Sequence, residues 1–313
     1  MPPNPLCLSM RDVRYAVGAA GSGSGVREIL HGVDLTARCG EVTVLLGPNG
    51  AGKTTTLGCA QGLLRPSHGT VRLLDEHPYR AGAGLRARVG VMLQDGGLPQ
   101  SVRPRTLLHH VARLHRNPWP VDDLVARLEM DSFVDTAPRR LSGGQRQRVA
   151  LAASLVGRPE AVFLDEPSAG LDPQSRRMVF ELIEELRRRG LGIVLTTHLL
   201  EEAQRLADVV HILKDGRVVR SGTVAELTGG DHERRLSFVL PRTLTAEELS
   251  AAPATLDRRD GNRPGARWTA RGVSTPADLS ALTTWWEHID MMPGEVSFES
   301  RSLEDVFWEV SAS

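Results

Sequence analysis

Residues 41–55 read EVTVLLGPNGAGKTT, an apolar run that breaks into glycines and then resumes as helix-forming residues. The segment 47–54 matches the spacing G-x-x-x-x-G-K-[ST], here between an apolar strand and a helix, which is the context that gives the motif its meaning. Gly47, Gly50 and Gly52 let the backbone curl so that its N–H groups face inward. Pro48, Asn49 and Ala51 complete the loop. Those N–H groups and the positive end of the following helix suit phosphate oxygens. Lys53 is expected to reach the outer phosphates, Thr54 to offer its hydroxyl to Mg²⁺, and Thr55 to follow in the first turn. A chance glycine-rich turn would not need the strand before it and the helix after it. The G-x-G-x-x-G spacing of dinucleotide folds is absent.

Outward from this loop, strands and helices alternate. LSMRDVRYAV (8–17) reads as a strand, and GAAGSGSG (18–25) as a loop with nothing to pack. Two strands follow, separated by a turn at Cys39 and Gly40. The helix after Gly52 is expected to reach about Leu63, with GTVRLLD as the next strand. Residues of about 101–158 are mainly helical by apolar spacing. AVFLDEP is a short strand ending in acids. In DPQSRRMVFELIEELRRRG, Asp172 is the cap, Pro173 the first residue and Gly190 the stop. LGIVLTTH is a strand, LLEEAQRLA a helix, and VVHILKDGRVVRSG a hairpin about Asp215 and Gly216. The pattern ends near residue 228, where composition shifts. The fold class is α/β, a phosphate-loop core with an inserted helical subdomain, over 1–230. A small α+β C-terminal domain occupies 231–313.

The 313 residues exceed what one compact core needs. Thirty-eight basic residues balance thirty-eight acidic ones, so no basic excess suggests a nucleic-acid groove, and no nucleic-acid partner is expected. Nearly all the basic residues are arginine, a G+C-rich bacterial coding bias; Lys53 and Lys214 are the lysines. Cys7, Cys39 and Cys59 are too scattered for a metal cluster or a disulfide scaffold. The N-terminus carries no secretory pattern, and no run of 18 apolar residues could span a bilayer. If the chain serves transport, the pore belongs to another chain.

Asp165 and Glu166 end the AVFLDEP strand. Beside a phosphate loop, Asp165 fits a Mg²⁺-holding acid and Glu166 a group that orients or deprotonates water. LSGGQRQR (141–148) is the most discriminating segment. Together with the phosphate loop and LDEP in this order, it resembles the ATP-binding subunits of ATP-binding-cassette (ABC) transporters, over roughly residues 8–228. The resemblance implies a P-loop NTPase core of the ABC type that hydrolyses ATP with Mg²⁺. It implies a homodimer, or a paired nucleotide-binding domain, whose copies meet head to tail. Each ATP then lies between one phosphate loop and the other copy's Ser142, Gly143, Gly144 and Gln145. It further implies Gln94 as a sensor of Mg²⁺ or the γ-phosphate, with Gln100 a weaker competitor. Residues 168–172 become the loop that crosses the dimer, and His198 the switch histidine. Tyr15 matches the aromatic that stacks on adenine, although a tyrosine of the core or surface would read the same way.

SLEDVFWEV (302–310) resembles the end of exporter ATPases paired with type-2 (ABC-2) permeases, the daunorubicin-resistance group. That resemblance implies export of a drug, lipid or other hydrophobic substrate through a separate integral membrane permease. The chain would sit at the cytoplasmic face of the cell membrane, held there by the permease. Leu303, Val306, Phe307 and Val310 form one apolar helical stripe. Trp285, Trp286 and Trp308 are expected to pack. The competing reading, a cassette ATPase acting on ribosomes or nucleic acid, usually carries two nucleotide domains or long coiled insertions, which this chain lacks.

Overall fold

The structure, a computed structural model, describes residues 4–18, 27–93, 98–229, 234–258, 264–273, 275–300 and 302–312. The chain divides into two compact units, Met1–Thr223 and Val224–Ser313.

In the first unit, β1 (Leu6–Val17), β2 (Arg27–Arg38) and β4 (His68–Leu73) form an antiparallel sheet in the order β2-β1-β4. Six strands form the second sheet: β3 (Val42–Leu46), β5 (Val89–Met92), β6 (Ala161–Asp165), β7 (Gly192–Thr197), β8 (Val209–Lys214) and β9 (Arg217–Gly222). Their order is β5-β6-β7-β3-β8-β9, parallel except for the last pair. Every residue of β3, β6 and β7 is buried, as expected for parallel strands covered on both faces. Helix α1 (Lys53–Gln61) follows β3 and stops at Gly62, whose φ of 79° is the left-handed stop that glycine tolerates. It therefore ends just short of the expected Leu63.

A short helix α2 (Ala83–Ala87) precedes β5. The arm expected at about 101–158 holds α3 (Pro104–Ala112), α4 (Val121–Arg127) and α5 (Gly143–Leu155). Helices α6 (Pro173–Arg188) and α7 (Leu200–Leu206) join the last core strands. Between β8 and β9, Asp215 and Gly216 have φ of 47° and 70°. Two successive positive values fit the tight hairpin turn that Asp-Gly favours.

The second unit holds α8 (Val224–Thr228), β10 (Arg234–Val239), α9 (Ala246–Ser250), β11 (Thr255–Arg258), β12 (Arg267–Arg271), α10 (Pro276–His288), β13 (Gly294–Ser300) and α11 (Leu303–Ala312). Its sheet is antiparallel in the order β11-β12-β10-β13. The divide falls before α8, ahead of the expected residue 230, because α8 packs on α11. Trp268, Trp285 and Trp286 are buried with Leu236, Phe238 and Leu282. Phe238 and Trp286 meet edge to face at 5.0 Å, a geometry aromatic rings prefer. Leu303 and Val306 are buried as the stripe predicts. Trp308 is 65% exposed, contrary to expectation, because it points away from that stripe on α11. Among the described residues, no helix is long and apolar enough to cross a membrane.

Candidate ATP site

The site gathers at the C-terminal ends of three adjacent parallel strands, where open α/β sheets bind ligands. Register does the gathering. Asp165 at the end of β6 pairs with Thr196 of β7, and Thr197 pairs with Leu46 at the end of β3. The phosphate loop leaves β3 at that level.

The loop's shape comes from main-chain crowding. A Cβ on Gly47 would lie 2.5 Å from the Leu213 carbonyl oxygen. Gly52, with φ of 103°, opens α1, and no acid sits in that helix's first turn. The helix start is therefore free to favour an anion. The β8–β9 turn braces the loop from behind: Gly216 N–H donates to Ala51 O at 3.0 Å, and His31 N–H donates to Gly216 O at 2.9 Å. Lys53 is 6% exposed and donates to Gly47 O at 2.7 Å and Pro48 O at 3.1 Å, so its ammonium lies inside the curl. Burial pulls its pKa below the usual lysine range, while Glu166 and Asp165 oppose that shift.

Asp165 and Glu166 are both buried, at 3% and 8% exposure. The Thr196 hydroxyl donates to Asp165 Oδ1 and also accepts from Glu166 N–H at 3.1 Å. Glu166 has φ of 51°, costly for a residue with a Cβ. Main-chain bonds hold it there: its N–H donates to the Thr196 hydroxyl and to Thr196 O at 3.2 Å, and its carbonyl accepts from Gln147 Nε2 at 2.6 Å and from Ala169 N–H at 3.1 Å. This turn points the carboxylate toward the loop. Glu166 Oε1 lies 3.8 Å from Lys53 Nζ and 3.1 Å from His198 Nδ1. Lys53, Asp165, Glu166 and His198 are thus brought together.

A cleft of about 800 Å³ over the loop is lined by Asn49, Gly50, Gly52, Lys53, Thr54, Thr55 and Glu166, with Val17, Gly18, Arg27 and Ile29 at its far wall. Tyr15 is not on that wall; it is half-buried and packs against the core beneath. The pairing of β1 with β2 shifts register between Tyr15 and Ala16, and Val17 lines the cleft. Gln94 lies outside the described residues. Asp165 and the exposed Thr54 hydroxyl are oxygen donors of the kind a hard cation such as Mg²⁺ takes, and the Thr196 bond fixes the carboxylate's orientation for it.

Ser142 caps α5 in a reciprocal box. Gln145 N–H donates to the Ser142 hydroxyl at 3.1 Å, and Ser142 N–H donates to Gln145 Oε1 at 2.9 Å. Ser142 and Gly143 are exposed, and none of residues 142–145 lines the cleft. Gly144 packs against Leu171, where a Cβ would come within 3.1 Å of Leu171 Cδ2. Asp172 caps α6, accepting from Ser175 N–H at 2.9 Å and the Ser175 hydroxyl at 2.7 Å. The contributions of Thr196 and Gln147 escape sequence reasoning. Gln147 stands inside the LSGGQRQR segment, and Thr196 two residues before His198; that proximity is the one signal the sequence offers for either.

Comparison with known proteins fits this geometry. The ABC transporter family model matches residues 30–169. The chain is 38% identical over 255 residues to the daunorubicin resistance ATP-binding protein DrrA3 of Streptomyces coeruleorubidus, covering 79% of each chain. It is 34% identical over 279 residues to the Nod factor export ATP-binding protein I of Burkholderia orbicola (strain AU 1054), covering 82% of this chain and 90% of that one. A solved ATP-binding subunit of an ABC transporter superposes with a TM-score of 0.64 at 25% identity, over 71% of this chain and 92% of that one. A dimeric ATP-binding cassette in a post-hydrolysis state, bound to ADP and Pi, shares the fold with a TM-score of 0.63 at 24% identity, over 69% of this chain and 98% of that one. With its phosphate loop, paired acids and histidine at one set of strand ends, the chain belongs to the ATP-binding subunits of ABC transporters and is an ATPase.

Proposed function

We propose that two copies of this chain share two ATP sites and drive export of a drug, lipid or other hydrophobic substrate through a separate membrane permease. One observation carries the shared site. Lys53 and Glu166 line the cleft, and His198 bonds to Glu166 beside it, whereas Ser142 and Gly143 form an exposed, capped helix start that touches none of them. An exposed serine hydroxyl with helix-start amides is an anion site that a second copy's nucleotide can use.

In this reading the loop amides and Lys53 hold the outer phosphates, with the adenine toward Val17, Arg27 and Ile29. Thr54 and Asp165 would hold Mg²⁺, with Gln94 as its third contact. Held there, the ion would supply positive charge against the phosphate oxygens. Glu166 orients or deprotonates the attacking water, and His198 Nδ1, 3.1 Å away, fixes the carboxylate that does so. Ser142, Gly143, Gly144 and Gln145 of the second copy close over the γ-phosphate. Hydrolysis removes contacts that both copies share, so the pair opens and biases the permease's conformation.

Export, and attachment at the cytoplasmic membrane face, draw support from relatives whose names tie them to daunorubicin resistance and Nod factor export. The test is purification of the tagged chain from membranes of its source cells. One copurifying polytopic protein, retained when Glu166→Gln stops hydrolysis, is the expected result. Recovery with ribosomes, and with no membrane protein, would overturn the transport reading.

A further inference from the structure

Behind the catalytic pair lies a buried carboxyl with no assigned work. Glu202, on α7, is 1% exposed. The Thr197 hydroxyl donates to its Oε2 at 2.5 Å, and the same hydroxyl oxygen accepts from Leu199 N–H at 2.9 Å. Those two bonds close the turn that carries His198. The other oxygen, Oε1, is buried without a hydrogen-bond partner among the described residues, and so is the Ser168 hydroxyl. Ser168 is 1% exposed and close enough to act on the Glu202 carboxyl. It also opens the 168–172 loop, which leaves Glu166 through the bond from Ala169 N–H to Glu166 O at 3.1 Å. The Ser168 hydroxyl carries a proton that it can offer to the Glu202 carboxyl, and a bond between them would link the two turns.

We propose that Glu202 is a positioning residue whose buried carboxyl accepts from the hydroxyls of Thr197 and Ser168, tying the turn of His198 to the loop that follows Glu166. The inference rests on the assignment of Glu166 and His198 to hydrolysis. Burial raises the Glu202 pKa, and the nearby negative charge of Glu166 pushes it the same way. Thr197, Ser168 and the positive Arg176, facing it from α6, oppose that rise. Arg176 Nε makes no hydrogen bond to Glu202; it is itself buried without a partner among the described residues. Glu201, next to Glu202 on α7, is exposed.

A glutamine tests the strut because its amide keeps the carboxyl's shape and offers an acceptor for Thr197 and a donor for Ser168. In the full chain, Glu202→Gln keeps kcat for ATP hydrolysis within about twofold of wild type. Glu202→Ala lowers kcat on the order of tenfold while leaving KM for ATP unchanged, since misplacement of the pair slows chemistry without touching nucleotide contacts. Ser168→Ala mimics Glu202→Ala, and the double variant is no slower than either single one, the mark of a shared interaction.

A pH series supplies a readout that simple packing would not move. Because the folded pKa is raised, the stability that Glu202 contributes is full below the ordinary glutamate range. It is lost as pH rises through the folded value. The melting temperature of wild type should therefore fall relative to Glu202→Gln with rising pH. Loss of activity in Glu202→Gln equal to that in Glu202→Ala would overturn the proposal, as would full kcat in Ser168→Ala. If Glu166→Gln hydrolyses ATP at the wild-type rate, the underlying assignment fails. If Glu166→Gln is inactive and Ser168→Ala and Glu202→Ala are unimpaired, the strut alone fails.

Discussion

The phosphate loop and the Ser142 loop are both glycine-rich helix starts, yet the protein treats them differently. A Cβ on Gly47 would strike the Leu213 carbonyl at 2.5 Å, whereas a Cβ on Gly143 would meet nothing within 4 Å. The first loop is shaped by its own fold, braced by Gly216 and filled by Lys53. The second holds its shape with its own capping box and keeps its surface open. Crowding marks the half of a site that a chain completes alone. Openness at a conformationally defined loop marks a half that waits for a second molecule.

The contrast can be broken most directly at Lys53. Lys53→Ala removes a buried ammonium aimed at phosphate and lowers steady-state ATPase on the order of 10³-fold. Gly143→Asp comes next. Since nothing in the chain blocks the new side chain, the melting temperature should not move, while repulsion from phosphate lowers ATPase on the order of 10²-fold. Mixing the two inactive variants sharpens the comparison, because a mixed pair contains one site with an intact Lys53 and an intact Gly143. Activity of the mixture above the sum of its parts is expected; a plain sum would sink the shared site.

Thr196→Val tests the crowded half more gently. It keeps the shape of the side chain and removes the hydroxyl that orients Asp165 and holds Glu166 N–H. The expected loss in kcat is about tenfold, with the fold intact by circular dichroism.

Asp172 carries the smallest effect. Bonds from the Ser175 hydroxyl and then its N–H hold this carboxyl below the usual aspartate range. A depressed carboxylate contributes stability above its unfolded pKa and loses it as pH falls through the folded one. The melting-temperature gap between wild type and Asp172→Ala should be full at neutral pH and close in acid. Asp172→Asn keeps a capping oxygen, so its gap should be smaller and flatter with pH.

The sequence made some of these features legible and hid others for physical reasons. The phosphate loop, the acid pair and His198 were readable because each sits in a contiguous pattern or at a recognisable strand end. The parallel core followed from the apolar runs of β3, β6 and β7. Its separation from the β2-β1-β4 sheet did not, because strand partners are chosen by tertiary packing. Thr196 and Gln147 were hidden for the same reason. Each is an ordinary polar residue until β6, β7 and α5 come together around Glu166. Val17 lines the cleft two residues beyond Tyr15, past an irregularity in the β1–β2 pairing that periodicity does not reveal. Trp308 shows the limit of composition, since a large aromatic on a short helix can face either way.

The brace behind the phosphate loop has a kinetic consequence. Ala51 O and His31 N–H are bonded to the main chain of Gly216, so the loop's curvature is set by a distant hairpin and not by nucleotide. A Cβ on Gly216 would lie 2.0 Å from Ile29 O, which makes that turn intolerant of any side chain. An incoming triphosphate meets amides whose ordering was completed during folding. Its association should therefore run close to the encounter rate, with little waiting for the loop to rearrange.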